Sequence, residues 1–411
     1  MKALNIAEKQ KIAIVGFGIE GKALYDYFKK QAGNLEIHIF EENPVAELPS
    51  NTVAHFNLNI PANFDIVYKT PGIPTSKLKL ENPNTKISNL TNIFFEKALG
   101  TIIGITGTKG KGTITTLVDH ILTENGFNSV YLGNIGKTGL ALLKEDSKDK
   151  LYIYEMSSFQ CEHLNKSPHI AVLNNLFPDH LNHHKNFEEY KKAKLKITKF
   201  QTSKDYFINA TGFDVETRAQ QIKIGTLPKP KFETKLLGDY NQMNCAVASE
   251  VAKILGIPED KIREAIKTYK PLPLRLEKIA EKNGVVFYDD SLATIPQATL
   301  GSIAALKNVN TIILGGSDKG SPLEEFAREL AETSIKNFII FPDNGKEMIK
   351  YVKNDSGRKI FEVENMHDAV KTAYDNCKGI CLLSNAAASF NLFKGYKDKS
   401  EQYQHWIKEL K

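Results

Sequence analysis

Short apolar runs, each closed by a small or polar residue, alternate along nearly the whole chain with longer amphipathic stretches. "KIAIVGFG", "LEIHIFEE", "FDIVYKTPG", "TIIGITGT", "LYIYEMSS", "IAVLNNL", "VVFYDDS", "NTIILGGS", "NFIIFPD" and "GICLLSNAA" read as buried parallel strands. Between them lie helical patterns such as "GKALYDYFKKQ", "TITTLVDHILTENG" and "MNCAVASEVAKILG". Such an alternation buries its apolar faces as parallel sheets covered by helices, so the fold class is α/β. In these sheets ligands sit just beyond the carboxyl ends of the strands. The residues that close each run are therefore the candidates for function.

At 411 residues the chain has room for several domains. Residues 1–97 open with a glycine fingerprint, and residues 98–271 open with a candidate phosphate loop. "YKPLPLRLE", with its two prolines, reads as a hinge into a third block, 272–411, with closure expected near 270–275. A hydrophobic content of 41% and a charged content of 25% suit a soluble protein. The net charge of +6 is spread out, with no basic block interleaved with aromatics, which argues against nucleic acid and suits anionic small molecules. Cys161, Cys245, Cys377 and Cys381 read as free thiols of a reducing cytoplasm. No apolar stretch has membrane-spanning length, and the amino terminus reads as a strand rather than a signal peptide. A cytoplasmic monomer is the default expectation.

"GITGTKGKGT" departs from G-x-x-x-x-G-K-[ST]: Ile105 stands at the first glycine, and the hydroxyl comes one place late, at Thr113. Gly104, Gly107, Gly110 and Gly112 still allow the curvature that points amides at an anion, with the positive end of a helix behind them. Gly107, Thr108, Lys109, Gly110, Lys111, Gly112 and Thr113 form the candidate loop. Lys111 is placed to reach terminal phosphates, and Thr113 to put its hydroxyl on magnesium. Glu155 closes one strand, and Asp179 and His180 follow another. Such groups can hold magnesium, which prefers oxygen and keeps several waters. The cluster His180, His183 and His184 also admits a zinc reading, without a further ligand at suitable spacing. "YKKAKLKI", with Lys194, reads on composition as an exposed basic helix. "GFGIEG" (Gly16, Gly18, Gly21), with Glu41 closing the next strand, meets the dinucleotide pattern, which alone is weak.

"GITGTKGK", "GNIG", "EMSSFQ", "NLFPDHLNHH", "YKKAKLKI", "YNQMN", "PLRLE", "DDSLAT", "LGGSDKG" and "LLSNAAASF" together resemble, in order and spacing, the Mur ligases. These are ATP-dependent amide-forming enzymes of peptidoglycan precursor synthesis, and so of cell-wall biogenesis, cell shape and the cell division cycle. "EMSSFQ", "LGGSDKG" and "SNAAASFNLFKGY" resemble the branch that adds D-glutamate to UDP-N-acetylmuramoyl-L-alanine. The resemblance implies a Rossmann-like N-terminal domain for the UDP precursor (1–97), a central P-loop ATPase domain (98–271) and a Rossmann-like C-terminal domain for the amino acid (272–411). It implies ATP and Mg²⁺ as cofactors. Lys111 would bind ATP phosphates, and Glu155, His180 and a CO₂-carbamylated Lys194 would join Thr113 at the metal. Asn244, Arg275 and Asp290 would contact the nucleotide. Gly16, Gly18, Glu41, Thr70, Gly72 and Asn134 would hold the UDP precursor. Thr294, Lys319, Ser389 and Tyr396 would hold glutamate.

Several positions depart from the family pattern. Gly112 stands where Mur ligases carry Ser or Thr, as folylpolyglutamate synthetases also have it, which leaves the metal-binding hydroxyl open. Leu292 replaces a lysine of the D-glutamate branch, removing a cation near the acyl-phosphate and glutamate sites. This leaves the stereochemistry of the amino acid open. Leu274 replaces a histidine, and Tyr396 a phenylalanine. The competing readings are a relative adding L-glutamate or another amino acid, a folate-type polyglutamate ligase, a nicotinamide-dependent oxidoreductase using "GFGIEG", and a silent nucleotide-binding scaffold.

Overall fold

A computed structural model of the chain describes residues 10–30, 35–44, 48–50, 52–64, 66–134, 138–181, 183–317, 322–355, 357–389 and 392–411. The N-terminal part runs β1 (Gln10–Val15), α1 (Ile19–Lys30), β2 (Leu35–Phe40), β3 (Thr52–His55), β4 (Asn59–Ile60), β5 (Ile66–Lys69), β6 (Lys79–Leu80), β7 (Lys86–Ser88) and α2 (Leu90–Lys97). Its main sheet has the order β3-β2-β1-β5-β7, all parallel. The order reverses between β1 and β5. A crevice therefore opens where the glycine turn after β1 meets Thr70 after β5.

The central part runs β8 (Thr101–Thr106), α3 (Lys111–Glu124), β9 (Ser129–Gly133), α4 (Gly139–Leu142), β10 (Leu151–Glu155), α5 (Ser158–Cys161), β11 (Ile170–Leu173), α6 (Phe187–Leu195), β12 (Tyr206–Asn209), β13 (Gln220–Lys223), α7 (Asp239–Ile254) and α8 (Glu259–Thr268). The sheet order is β13-β12-β11-β8-β10-β9, again parallel. β8 thus lies between β10 and β11, and the loops leaving these three strands share one edge. α3 carries Ile114, Leu117, Val118, Ile121 and Leu122 at helical spacing, and they bury against Ile103, Ile105 and the apolar face of α7.

The C-terminal part runs β14 (Glu277–Lys282), β15 (Val285–Asp289), α9 (Pro296–Leu306), β16 (Val309–Leu314), α10 (Glu324–Ala331), β17 (Asn337–Ile340), α11 (Gly345–Met348), β18 (Lys359–Glu362), α12 (Met366–Asn376), β19 (Gly379–Leu383) and α13 (Tyr396–Glu409). The order is β14-β15-β19-β16-β17-β18, with β14 alone antiparallel to its neighbour.

α2 turns away from the N-terminal sheet. Phe94 and Phe95 pack edge-on against Tyr152 and Tyr154 of β10, with centroids 5.0 to 5.6 Å apart. Such pairs contribute about 0.5–1.5 kcal/mol each beyond their buried area. Two polar links reinforce the seam: Asn89 Nδ2 donates to the Gln160 carbonyl at 2.9 Å, and Gln160 Nε2 donates to Glu20 at 2.9 Å. All four cysteines are buried free thiols. Among the described residues no helix is long and apolar enough to cross a membrane.

Candidate active site

β8 ends at Thr106, and the chain turns through Gly107–Gly110 into α3. Gly107 (φ 148°) and Gly110 (φ 83°) hold backbone angles that side chains disfavour. A Cβ at Gly110 would lie 2.6 Å from Asn244 Oδ1 and 2.7 Å from Asn174 Nδ2, so glycine lets these two amides close over the turn. Asn244 is held by its own bonds to Asn174 (3.1 Å) and Asn241 (2.9 Å). Thr108 is buried and shares a 3.0 Å hydrogen bond with the Tyr190 hydroxyl. The Lys111 ammonium folds back over the turn and donates to the carbonyls of Gly107 and Thr108 at 3.0 and 2.9 Å. Burial lowers its pKa, against the opposing pull of Glu155 and Asp179.

Gly112 has a specific neighbour. A Cβ there would lie 2.9 Å from an Arg275 Nη and 3.1 Å from Glu155 Oε2. The side chain missing at 112 thus leaves room for a guanidinium from the linker between α8 and β14. The Thr113 hydroxyl is buried in the first turn of α3.

Glu155 closes β10 and is 3% exposed. Its Oε1 accepts from Asn134 Nδ2 at 3.0 Å, while Oε2 is buried with no hydrogen-bond partner among the described residues. Lys194 is not on an exposed face, as its composition suggested. It is 1% exposed, lies 4.9 Å over the Tyr190 ring and donates to Thr106 Oγ1 at 3.2 Å. Burial first, and the charge of Lys111 second, bring its pKa down to about 7, while Cys161, Asp179 and Glu155 oppose the fall. Lys111, Glu155, Asp179 and Lys194 therefore act on one another at the ends of β8, β10 and β11.

His180 sits beside this group with a positive φ of 55°. Its backbone N–H donates to Asp179 Oδ1 at 2.9 Å. The rings of His180, His183 and His184 pack around Phe159, and the His184 Nε2 bonds Ser158 Oγ at 2.9 Å. Among the described residues no three His, Cys, Asp or Glu side chains could hold a metal together.

A cavity of about 590 Å³ runs from Gly110 and Thr113 to the C-terminal part and is lined there by Asp290 and Leu292. Asn244 lines it from the central part, and Arg275 from the linker between α8 and β14. Arg275 has a buried Nε without a hydrogen-bond partner among the described residues. It is flanked by Leu274 and Leu276, both with positive φ (61° and 49°), unusual for branched residues. Asp290 accepts from Ser302 Oγ (2.6 Å) and Ser384 Oγ (3.1 Å), and burial raises its pKa to about 6.

In the N-terminal crevice, Gly16 has φ 88°, and a Cβ on it would meet Thr70 Oγ1 at 2.0 Å. Gly18 and Gly72 face open space. Glu41 accepts from the Phe17 amide and so braces the turn. At the amino-acid end, Thr294 Oγ1 accepts from Lys109 Nζ at 3.0 Å. Ser389 is 5% exposed, with an Oγ lacking a partner among the described residues. The loop leaving β16 pairs with the one leaving β19 through Ser317 and Ala388. A Cβ on Gly316 would lie 2.2 Å from the Ala388 carbonyl. Tyr396 opens α13 and is 40% exposed. Lys319 lies outside the described residues.

The Mur ligase middle domain family matches residues 105–224, and the Mur ligase glutamate ligase domain family matches residues 274–383, together more than half the chain. The UDP-N-acetylmuramoylalanine–D-glutamate ligase of Christiangramia forsetii is 31% identical over 98% of this chain and all of its own length. The chain belongs to the Mur ligase family. A second D-glutamate ligase, from Francisella philomiragia, is 30% identical over 98% of this Mur ligase and 97% of its own chain. Among solved structures, the ADP complex of a MurF ligase from Thermotoga maritima matches with a TM-score of 0.63 at 19% identity, covering 99% of this chain and 97% of that one. MurF from Acinetobacter baumannii matches equally well (TM-score 0.63, 14% identity, 96% and 93% covered). At those identities the likeness concerns the fold.

In this Mur ligase, three contributions escaped the sequence reading. Asn174 and Asn175, inside the quoted "IAVLNNL", clamp the phosphate loop from β11. Tyr190 supports both Thr108 and Lys194. Glu20 and Gln160 tie the glycine turn of α1 to the central part. The only local signal was two polar asparagines closing an apolar run.

Proposed function

We propose that this Mur ligase joins glutamate to UDP-N-acetylmuramoyl-L-alanine in the cytoplasm, using ATP and an acyl-phosphate intermediate. The observation that carries the reading is the convergence of Lys111, Glu155, Asp179 and Lys194 beside the cavity of about 590 Å³. An oxidoreductase or a silent scaffold has no use for such a group. The similarity to the D-glutamate ligases of Christiangramia forsetii and Francisella philomiragia favours D-glutamate.

In this reading an oxygen of the alanyl carboxylate attacks the γ-phosphorus of ATP, the bond to the β-phosphate oxygen breaks, and ADP leaves. The glutamate amine then attacks the acyl carbon, and phosphate departs as the amide forms. Lys111 and the loop amides hold the transferring phosphoryl group, and most of phosphoryl-transfer catalysis is such positioning and charge stabilisation. Asn244, Arg275 and Asp290 hold the nucleotide in the cavity. Gly16, Gly18, Glu41, Thr70, Gly72 and Asn134 hold the precursor, whose diphosphate meets the open face of Gly18. Thr294, Lys319, Ser389 and Tyr396 receive glutamate, and the unpartnered Ser389 hydroxyl suits a carboxylate.

The residues fit magnesium. Glu155 Oε2 is a buried carboxylate oxygen without a partner among the described residues, and Thr113 offers a hydroxyl in the first helical turn, with His180 beside Asp179. Few protein ligands suit a cation that keeps its waters. Bound there, the ion spreads the charge on the phosphoryl oxygens. Lys194, whose pKa of about 7 leaves a large neutral fraction at and above pH 7, is a nucleophile for CO₂, and the carbamate would add a third oxygen ligand.

The test is phosphate release from ATP with UDP-N-acetylmuramoyl-L-alanine plus D-glutamate, L-glutamate or neither. Release that depends on D-glutamate is expected. Release only with a different amino acid defeats the specificity, and none with folded protein defeats the ligase reading.

A further inference from the structure

Lys109 belongs to the phosphate loop but points away from it. Its backbone is clamped: the N–H donates to Asn175 Oδ1 at 2.8 Å, and the carbonyl accepts from Asn174 Nδ2 at 2.9 Å and Asn175 Nδ2 at 3.0 Å. From that fixed base the side chain crosses the cavity to the C-terminal part. Nζ donates to Thr294 Oγ1 at 3.0 Å and lies 3.6 Å from Asp179 Oδ2. Lys111, two residues on, turns the other way and covers the loop's own carbonyls. One turn therefore sends two ammonium groups to two places.

At the C-terminal end of the contact between Lys109 and Thr294, position 292 itself carries no charge. Leu292 lies two residues before Thr294 and lines the same cavity as Lys109. It offers hydrocarbon where the ligases that this chain resembles carry a lysine. The wall facing it supplies an ammonium instead. The ammonium sits between a neutral hydroxyl and, at 3.6 Å, the Asp179 carboxylate, and an anionic phosphoryl oxygen entering between the two parts would add a charge-assisted bond.

We infer that Lys109 supplies, from the phosphate loop, the positive charge that position 292 lacks, and that it holds the phosphoryl oxygens of the acyl phosphate at the seam with the C-terminal part. The inference rests on the ligase reading. Held from the loop side by Lys109, with Thr294 on the other, that anion would keep the amino-acid-bearing part against the acyl carbon.

The test begins with wild-type enzyme, because phosphate release that depends on precursor and glutamate must exist before the variants are read. Its absence defeats the ligase reading and not this one. Lys109→Met is expected to lower kcat about 10²-fold, the scale of losing one charge-stabilising donor, with a much smaller change in the KM for ATP. Adding Leu292→Lys to Lys109→Met is expected to recover at least about tenfold of the loss, a coupling that only neighbouring groups serving one ligand show. Thermal melting verifies that each variant folds, and Lys109→Gln replaces Lys109→Met if the latter does not. Wild-type kcat in folded Lys109→Met overturns the inference. So does recovery by Asp179→Asn instead of Leu292→Lys, because Lys109 would then serve only to neutralise Asp179.

Discussion

Two glycine-rich turns in this molecule join a parallel strand to a helix, and their glycines do different work. In the turn after β1 the absent side chains make room for the backbone and its immediate neighbour. A Cβ at Gly16 would strike Thr70 Oγ1, and one at Gly21 would strike the Gly16 carbonyl, both at 2.0 Å. In the turn after β8 the absent side chains make room for reagents brought from elsewhere: Asn174 and Asn244 at Gly110, Glu155 and Arg275 at Gly112. The first turn presents amides and one open glycine, and the second gathers charge from three strand ends and a linker. Under the proposed function the first suffices for a diphosphate that does not react, while the second meets the demand of a phosphoryl group in transit, so that similar local sequence would serve binding in one place and chemistry in the other.

The comparison breaks most visibly at Lys111. Lys111→Ala is expected to reduce phosphate release by about 10²–10³-fold while circular dichroism and melting stay near wild type. An equal loss of folded protein would make the second turn structural, like the first. Within the first turn, Gly16→Ala combines a steric clash with a left-handed backbone and is expected to cost about 2–4 kcal/mol in urea unfolding. Gly18→Ala, with nothing within 4 Å, should leave stability near wild type and raise the KM for the UDP precursor about tenfold, an estimate from the loss of one close backbone–phosphate approach. Equal effects of the two would erase the distinction between fold and ligand glycines.

Lys194 sharpens the comparison through pH. Its folded pKa, about 7, lies below its unfolded value, so between about 7 and the ordinary lysine range the unfolded chain binds more protons. Stability therefore rises with pH across that window. Below pH 7 the ammonium is charged and does not react with CO₂. Bicarbonate should stimulate freshly degassed enzyme at pH 8 and much less at pH 6, and Lys194→Arg should abolish the response. Stimulation independent of pH, or persisting in the arginine variant, counts against a neutral amine. The smallest effect is expected at Gly112. Gly112→Ser displaces the tip of Arg275 and crowds Glu155 Oε2, both ends of flexible side chains, so the KM for ATP should rise by about tenfold or less, with little change in melting. No change at all would mean that Arg275 does not need the space.

Much of this was legible in the chain. The ten apolar runs all lie in strands, and the residues that close them, Glu155 and Asp290 among them, stand at the shared sheet edges. The strands that left no apolar run include edge strands such as β3, β13, β14 and β18. An edge strand buries one face or less, so "QQIK" and "KIFE" carry polar side chains that hide the strand signal. The clamp by Asn174 and Asn175 was out of reach for a different reason. It depends on β11 lying beside β8, an order set by the whole sheet. Lys194 misled because local composition reports the solvated lysines of α6, whereas Tyr190, Ala193 and Lys194 form its buried face.

The leucines on either side of Arg275 give the linker a mechanical character. Each left-handed branched residue costs on the order of 1–3 kcal/mol, so the tether between the two sheets behaves as a wound spring rather than a slack string. Arg275, whose guanidinium reaches Gly112, sits between those two strained residues. Under the proposed function, nucleotide contact and closure of the cleft would then depend on the same short tether.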